Sequence, residues 1–452
     1  MLTADPKAPA AALRDRFAGS VTLAGDPDWD ESREAFNLVH DQRPAAVARP
    51  ATAAETAEIV RAAVELGLRV HAQGSSHNTI PVGELDETVI FKLGRIKAVE
   101  IDADAQVARV EPGARWWDVV PQASELGLSA LHGSSPEINV VGYSLGGGVG
   151  WQARKRGLQA NSLTAIEVVT ADGELRRVDA DLFWALRGGS GNFGVVTAIE
   201  FRLYPVESLY AGALFYPFER GGEIMHAWRE WTRTAPEEVT TAARLLQFPP
   251  LEEVPEIVRG KSFAVIDGAF LGSEEDAAEL IRPLRGLGPV MGEFAVVPPA
   301  GLSEMHMDPV DPMPYLTTHA LIGELTGEAI DQSVEIATTA PVPISELGQN
   351  GAALGRPAPG HGAIASLPGE YLMLAVTPVM DPAQVPQIEA DLARLDGVFA
   401  PHDAGRYLNF TERPTDVATM FPAETLERLR QVKASYDPDG VIRANHDVVN
   451  GL

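Results

Sequence analysis

The stretch "RVHAQGSSHNTIPVG", Arg69 to Gly83, reads as a strand running into a bend of small residues, with His77 standing just beyond it. Upstream, "TAAETAEIVRAAVELGL" (Thr52 to Leu68) sets Ile59, Ala63 and Leu66 on one face of a helix, with Gly67 near its C-cap. Downstream come the strand-like "TVIFKL" from Thr88 and "AQVARVEPG" from Ala105, then a helical "RWWDVVPQASELGL" from Arg115. This is a βαββ-like rhythm, not a regular run of βα units. A histidine beside small residues has two readings. It sits in a plain turn, or a ligand lies against the backbone and touches, or is bonded to, the ring.

Composition narrows the choice. The chain has 452 residues, 45% apolar and 22% charged, as a soluble globular protein of two or three domains does. Its 36 basic and 63 acidic side chains give a charge of −27. That balance disfavours nucleic acid or an anionic membrane as partner, but backbone N–H groups can still hold one phosphate locally. With no cysteine, disulfides, thiolate nucleophiles and cysteine-bound metals are excluded. The opening "MLTADPKAPAAALRDRF" lacks the apolar core of a signal peptide, and no uncharged apolar run approaches about 20 residues. The expectation is a cytoplasmic protein, monomeric or homodimeric.

Glycine clusters recur in "VVGYSLGGGVGWQARKRGL" from Val140 and "DLFWALRGGSGNFGVVTAIEFRLYPV" from Asp181; between them "LTAIEVVTADGEL" turns at Asp172-Gly173 as a hairpin does. After about residue 206 they thin out. "GALFYPF", "SFAVIDGAF", "PISELG" and "EYLMLAVTPVM" read as strands with helical segments between them, predicting an antiparallel sheet covered by helices. "ETLERLRQVKASYDP" reads as a final helix and "DGVIRANHDVV" as an extended return.

Three motifs invite other chemistry. "GYSLG" (Gly142 to Gly146) fits the nucleophile elbow of a serine hydrolase with Ser144 as nucleophile, but three following glycines oppose a helix start by about 1 kcal/mol each. "GGSGNFG" satisfies G-x-G-x-x-G, yet precedes a strand where a nicotinamide fingerprint opens a helix. The ten histidines form no ligand-spaced cluster, so no metal is expected. What remains is close approach of backbone to ligand at several glycine-rich surfaces. That pattern suits a long cofactor with a pyrophosphate and a flat ring.

The ordered series "VHAQGSSHN", "GYSLGGGVGWQARKRGLQANSLTAIEVVTADG", "DLFWALRGGSGNFGVVTAIEFRLYP", "RYLNF" and "YDPDGVIRANHDV" resembles the FAD-linked oxidases of the berberine-bridge-enzyme-like group, in the vanillyl-alcohol-oxidase superfamily. The resemblance spans nearly the whole chain. It implies an α+β protein: a PCMH-type FAD-binding domain over residues 1–205, a substrate-binding domain over 206–412, and a segment, 413–452, returning to the first domain. It further implies FAD linked through its 8α carbon to His77, in a cradle of Gln73, Gly74, Ser75, Ser76 and Asn78. Gln73 replaces a common arginine, and the two serines replace glycines. Val141, Gly142, Ser144, Gly146, Gly147, Gly150, Val195 and Asn445 are the further expected cofactor contacts. Ser135 falls where some relatives have a cysteine bonded to flavin C6, so a single tether is expected.

The same resemblance carries a mismatch. Phe410 in "RYLNF" stands where many relatives have a tyrosine acting as, or lying beside, the general base. Tyr407, Tyr371 and His319 are the substitute candidates, and Glu346 could place a charge near the substrate. The implied function is oxidation of a small molecule at a C–H next to nitrogen or oxygen, with hydride passing to flavin N5 and on to O2. A flavin dehydrogenase using another acceptor is the alternative within that chemistry.

Overall fold

Arg69–Gln73 is a strand, paired in parallel with Thr88–Lys92 on one side and with Ile442–Arg443, near the end of the chain, on the other. Ala46–Ala48 and Val21–Thr22 complete this five-stranded sheet. The computed structural model describes residues 8–340 and 342–449; the first seven, part of the stretch read as lacking a leader, lie outside the described residues. The helix before the central strand spans Ala53–Glu65, and Thr52 caps it by accepting from Glu55 N, a contact worth about 1 kcal/mol. Its buried Ile59, Val60 and Ala63 pack on Val70, Val89 and Phe91 of the sheet.

A second five-stranded sheet runs Val99–Asp102, Val107–Val110, Val195–Arg202, Leu163–Val169, Leu175–Arg177, all antiparallel. Gly173 turns the last hairpin at φ +73°, a conformation that glycine adopts without strain.

The third sheet has eight antiparallel strands. Leu209–Pro217, Val239–Gln247, Ser262–Phe270, Tyr315–Ile322, Ile344–Gln349 and Tyr371–Pro378 are its long members. Four helices, Gly221–Thr232, Glu274–Arg285, Gly327–Thr339 and Val385–Phe399, cover one face. Side chains alternate across a strand, so parity sorts them. Ala243, Leu245, Ile266, Leu347, Tyr371 and Met373 join the helix-side core. The register Arg244↔Glu346↔Leu374↔His319 runs across the opposite face. Among the described residues no helix is long and apolar enough to cross a membrane.

The chain's end is locked from inside. Lys433, 3% exposed, donates to Asn192 O at 2.7 Å and Ile442 O at 2.6 Å, and pairs with buried Asp437 at 2.7 Å. Asn192 in turn donates to His446 O and accepts from Val448 N. Lys433→Ala leaves Asp437 buried without its cation. We expect a loss of about 3–5 kcal/mol, read as a lowered urea midpoint.

Candidate cofactor and active site

The glycine-rich segments converge on one cleft of about 270 Å³, lined by residues 71–78, 133–149, 190–196, 407–410 and 443–445 in part. Close approach is built into it. Gly74 passes so near Asn139 that an added Cβ would lie 2.7 Å from Asn139 Oδ1. Asn139 caps the short helix Val140–Leu145, accepting from Gly142 N, and its own N–H donates to Ser75 Oγ. Ser76 takes φ +66°, a left-handed conformation costing a residue with a Cβ roughly 1 kcal/mol. Its hydroxyl accepts from Lys92 Nζ at 2.8 Å and neighbours Gln73 Oε1 and Gly74 O. Gln73 also donates to Gln42, a neutral amide pair where relatives were expected to carry arginine.

His77 stands at this cleft with its ring held on three sides. Phe36 stacks on it at 3.9 Å between centroids. Tyr315 Oη lies 2.9 Å from Nδ1, and Glu137 Oε1 lies 3.1 Å from Nε2. Phe36 reaches it because buried Asn37 bonds Tyr315 through both main-chain groups, donating to its O and accepting from its N. Tyr315 also neighbours Glu412, whose carboxyl burial pushes up to about 8.

The expected cofactor contacts divide. Gln73, Gly74, Ser75, Ser76, His77, Asn78, Ser135, Val141, Gly142 and Asn445 all line the cleft. Ser144, Gly146, Gly147, Gly150 and Val195 do not. Ser144 is fully buried and donates to Val140 O within its own helix, which removes it as a hydrolytic nucleophile. Protein fills the space beside these glycines: a Cβ on Gly146 would sit 1.7 Å from Asn409 Oδ1, on Gly147 3.2 Å from Tyr407, and on Gly150 2.0 Å from His132 O. Val195 points into the core beneath the first sheet, and its neighbours Gly194 and Val196 reach the cleft.

The substitute base candidates are also relocated. Tyr371 has the parity of the helix side; its hydroxyl meets Thr232 and its ring meets Trp228. His319 has cofactor-side parity but lies behind the wall, its Nε2 accepting from Tyr407 N at 3.0 Å; burial, then Arg406, pushes it down to about 3. Tyr407 lines the cleft, yet its oxygen accepts from Gly148 N, Val149 N and Asn409 Nδ2, and burial raises the phenol above its ordinary value. Residues Leu408–Phe410 form a 3₁₀ turn. A turn brings Tyr407, Asn409 and Phe410 all to the cleft. Sequence reasoning missed Glu137, Tyr315 and Phe36, since no local spacing links them to His77.

A buried charge network borders Ser134 and Ser135. Both hydroxyls donate to Asp308. Asp308 also binds His306 Nδ1 at 2.7 Å, and Glu346 lies 3.2 Å from His306 Nε2. Burial and Arg244 oppose the His306 charge, but Asp308 and Glu346 outweigh them and lift it to about 10. Arg244 pairs with Asp267 at 2.5 Å, both essentially buried.

The cleft fits a dinucleotide cofactor on its own evidence. Buried polar atoms of lining residues, His71 Nε2, Asn78 Oδ1 and Asn445 Oδ1, have no partner in the protein, and such atoms are costly unless a ligand satisfies them. Gly74 can take no side chain without displacing Asn139.

Two predictions follow from the geometry. Gly150→Ala should destabilise the cofactor-free protein by about 1–3 kcal/mol, because His132 O must move; a ligand-contact role would instead spare that form. Glu412 has a folded value near 8 against an ordinary 4.5. The folded state therefore holds the extra proton between those values, and stability falls as pH rises through that window. Denaturation at pH 5 to 8 should show a slope of up to about 1.4 kcal/mol per unit from this group, flattened in Glu412→Gln.

Residues 44–179 match the family model described as FAD binding domain. The (R)-6-hydroxynicotine oxidase of Paenarthrobacter nicotinovorans is 33% identical over 190 residues, 41% of this chain and 42% of that protein. The xylooligosaccharide oxidase of Thermothelomyces thermophilus is 27% identical over 464 aligned residues, covering 92% and 90%. Among solved structures, Physcomitrella patens BBE-like 1 superposes with a TM-score of 0.84 at 18% identity, covering 97% of this chain and 98% of its own. The glucooligosaccharide oxidase of Acremonium strictum, described with a 6-S-cysteinyl, 8α-N1-histidyl FAD, gives 0.81 at 22%, covering 98% and 99%. Residues 44–179 are an FAD-binding domain, and the chain is an FAD-dependent oxidoreductase with the fold of the berberine-bridge-enzyme-like proteins.

Proposed function

We propose that the protein is an oxidase whose FAD is tethered once, through His77, and which oxidises a small amine at a C–H bond beside nitrogen. The observation that carries the tether is the imidazole placed at the cleft, with Phe36 stacked on its face, Tyr315 Oη at Nδ1 and Glu137 facing Nε2. The serine at position 135 is engaged with Asp308 and has no sulfur to form a second bond.

FAD, when bound, supplies the hydride acceptor and passes the electrons to O2. The chain's own residues bind, orient and exclude water. The loop at 73–78 offers main-chain N–H groups and hydroxyls to the pyrophosphate. Leu408, Asn409 and Phe410 wall the cleft.

The amine preference rests on what the wall does with protons. Among the described residues, the cleft-lining tyrosines are both engaged: Tyr143 donates to Leu131 O, and the Tyr407 oxygen is taken up by three N–H donors. Phe410 cannot accept a proton. An alcohol or sugar must lose its hydroxyl proton as hydride leaves; a neutral amine can give up hydride first. The hydroxynicotine oxidase among the relatives carries a name consistent with this, and the oligosaccharide oxidases mark the competing class.

The test is a visible spectrum before and after acid precipitation, followed by a substrate screen. The expected result is a yellow pellet, one FAD mass on the Val70–Lys92 tryptic peptide, and bleaching near 450 nm by amines in preference to sugars. Free FAD in the supernatant would remove the tether. Bleaching by sugars alone would overturn the substrate class, and reoxidation by an artificial acceptor but not by air would make the protein a dehydrogenase.

A further inference from the structure

Glu137 is 1% exposed, and neither of its carboxylate oxygens has a hydrogen-bond partner in the protein. A buried carboxylate left in that state costs several kcal/mol unless something facing it makes use of the charge. What faces it is His77. Its Oε1 lies 3.1 Å from Nε2, a hydrogen-bond length, but the ring-plane N–H does not point at the oxygen closely enough for a bond.

The other side of the ring is set by a second relay. Tyr315 has one hydroxyl hydrogen and two neighbours, His77 Nδ1 at 2.9 Å and Glu412 Oε1 at 3.4 Å. The Nδ1 contact is the shorter of the two, so the Tyr315 hydrogen serves Nδ1 whenever that nitrogen carries its lone pair. With the ring hydrogen on Nε2, the side that faces Glu137, Nδ1 keeps that lone pair.

We propose that Glu137 is the positioning residue and proton acceptor that makes His77 a nucleophile toward the 8α carbon of FAD. The proposal rests on the single histidyl tether argued above. In the step, an Nδ1–C8α bond forms. The Nε2–H bond breaks and its proton passes to Glu137. One C8α–H bond also breaks; its proton leaves to solvent and its electron pair enters the ring system. O2 then takes up two electrons and two protons as hydrogen peroxide, returning the ring to its oxidised level. Tyr315 holds Nδ1 until the carbon displaces it. Phe36 stacks on one face of the ring at 3.9 Å between centroids and restricts its tilting.

The experiment reconstitutes cofactor-free protein with FAD in air and follows the FAD mass on the Val70–Lys92 peptide with time. Noncovalent FAD binding, read by flavin absorbance, and the melting temperature are measured in parallel. Glu137→Gln keeps the side-chain shape and an oxygen able to face Nε2 but cannot take the proton. It should bind FAD normally and attach it about a hundredfold more slowly. Glu137→Asp should retain an intermediate rate, and Glu137→Ala should be accelerated by added formate, which a merely structural role would not produce. Should Glu137→Gln misfold, the formate response of Glu137→Ala decides. Attachment at the wild-type rate in Glu137→Gln, or no formate response in Glu137→Ala, would overturn the role of Glu137 while leaving the tether intact. Absence of the FAD mass in the wild-type protein would remove both.

Discussion

An imidazole can be poised for one reaction only if its ring cannot turn and its hydrogen cannot wander. At His77 three groups drawn from distant parts of the chain surround the ring. Phe36 covers a ring face, Tyr315 meets one nitrogen, and Glu137 faces the other. Each depends on a separate piece of architecture. Phe36 is delivered by the Asn37–Tyr315 main-chain bonds, Tyr315 by the edge region of the eight-stranded sheet, and Glu137 by the segment that leads into the helix capped by Asn139. Fixing geometry in advance removes entropy that would otherwise be lost at the moment of reaction.

The glycines around this centre do two different jobs. Gly74 lets its backbone pass close to the Asn139 side chain beside the cleft. Gly146, Gly147 and Gly150 let Asn409, Tyr407 and the carbonyl of His132 pack against a chain too crowded for any side chain. The second job supports the first, because Tyr407 then reaches the N–H groups of Gly148 and Val149 and fixes the floor of the site. Closing the structure falls to Lys433, whose buried ammonium ties the final helix to the return strand and to the loop at Asn192.

Across the large sheet, one physical rule separates packing from chemistry. Alternate residues face opposite sides, so Tyr371 and Met373 serve the helix-side core while Arg244, Asp267 and Glu346 are committed to the side facing the cofactor unit. There they meet His306 and Asp308 in a network whose last link is Ser135. A charge network of this size tolerates burial because every charge has a neighbour of opposite sign.

Much of the fold and part of the site are written in local patterns. The strand at Arg69–Gln73, the capped helix before it, the Asp172-Gly173 hairpin and the helix-covered antiparallel sheet follow from periodicity and turn chemistry. That His77 and the 73–78 bend line a cleft was readable because small residues and one imidazole are concentrated there within a few positions. Which glycines face a ligand and which face protein was not readable, since both need the same absent Cβ. The face on which Tyr371 lies, and the 3₁₀ turn that gathers Tyr407, Asn409 and Phe410, were settled by register and tertiary packing. Glu137, Tyr315 and Phe36 carry no mark of their role in sequence. They are 60, 238 and 41 residues from His77, and only folding turns that separation into contact.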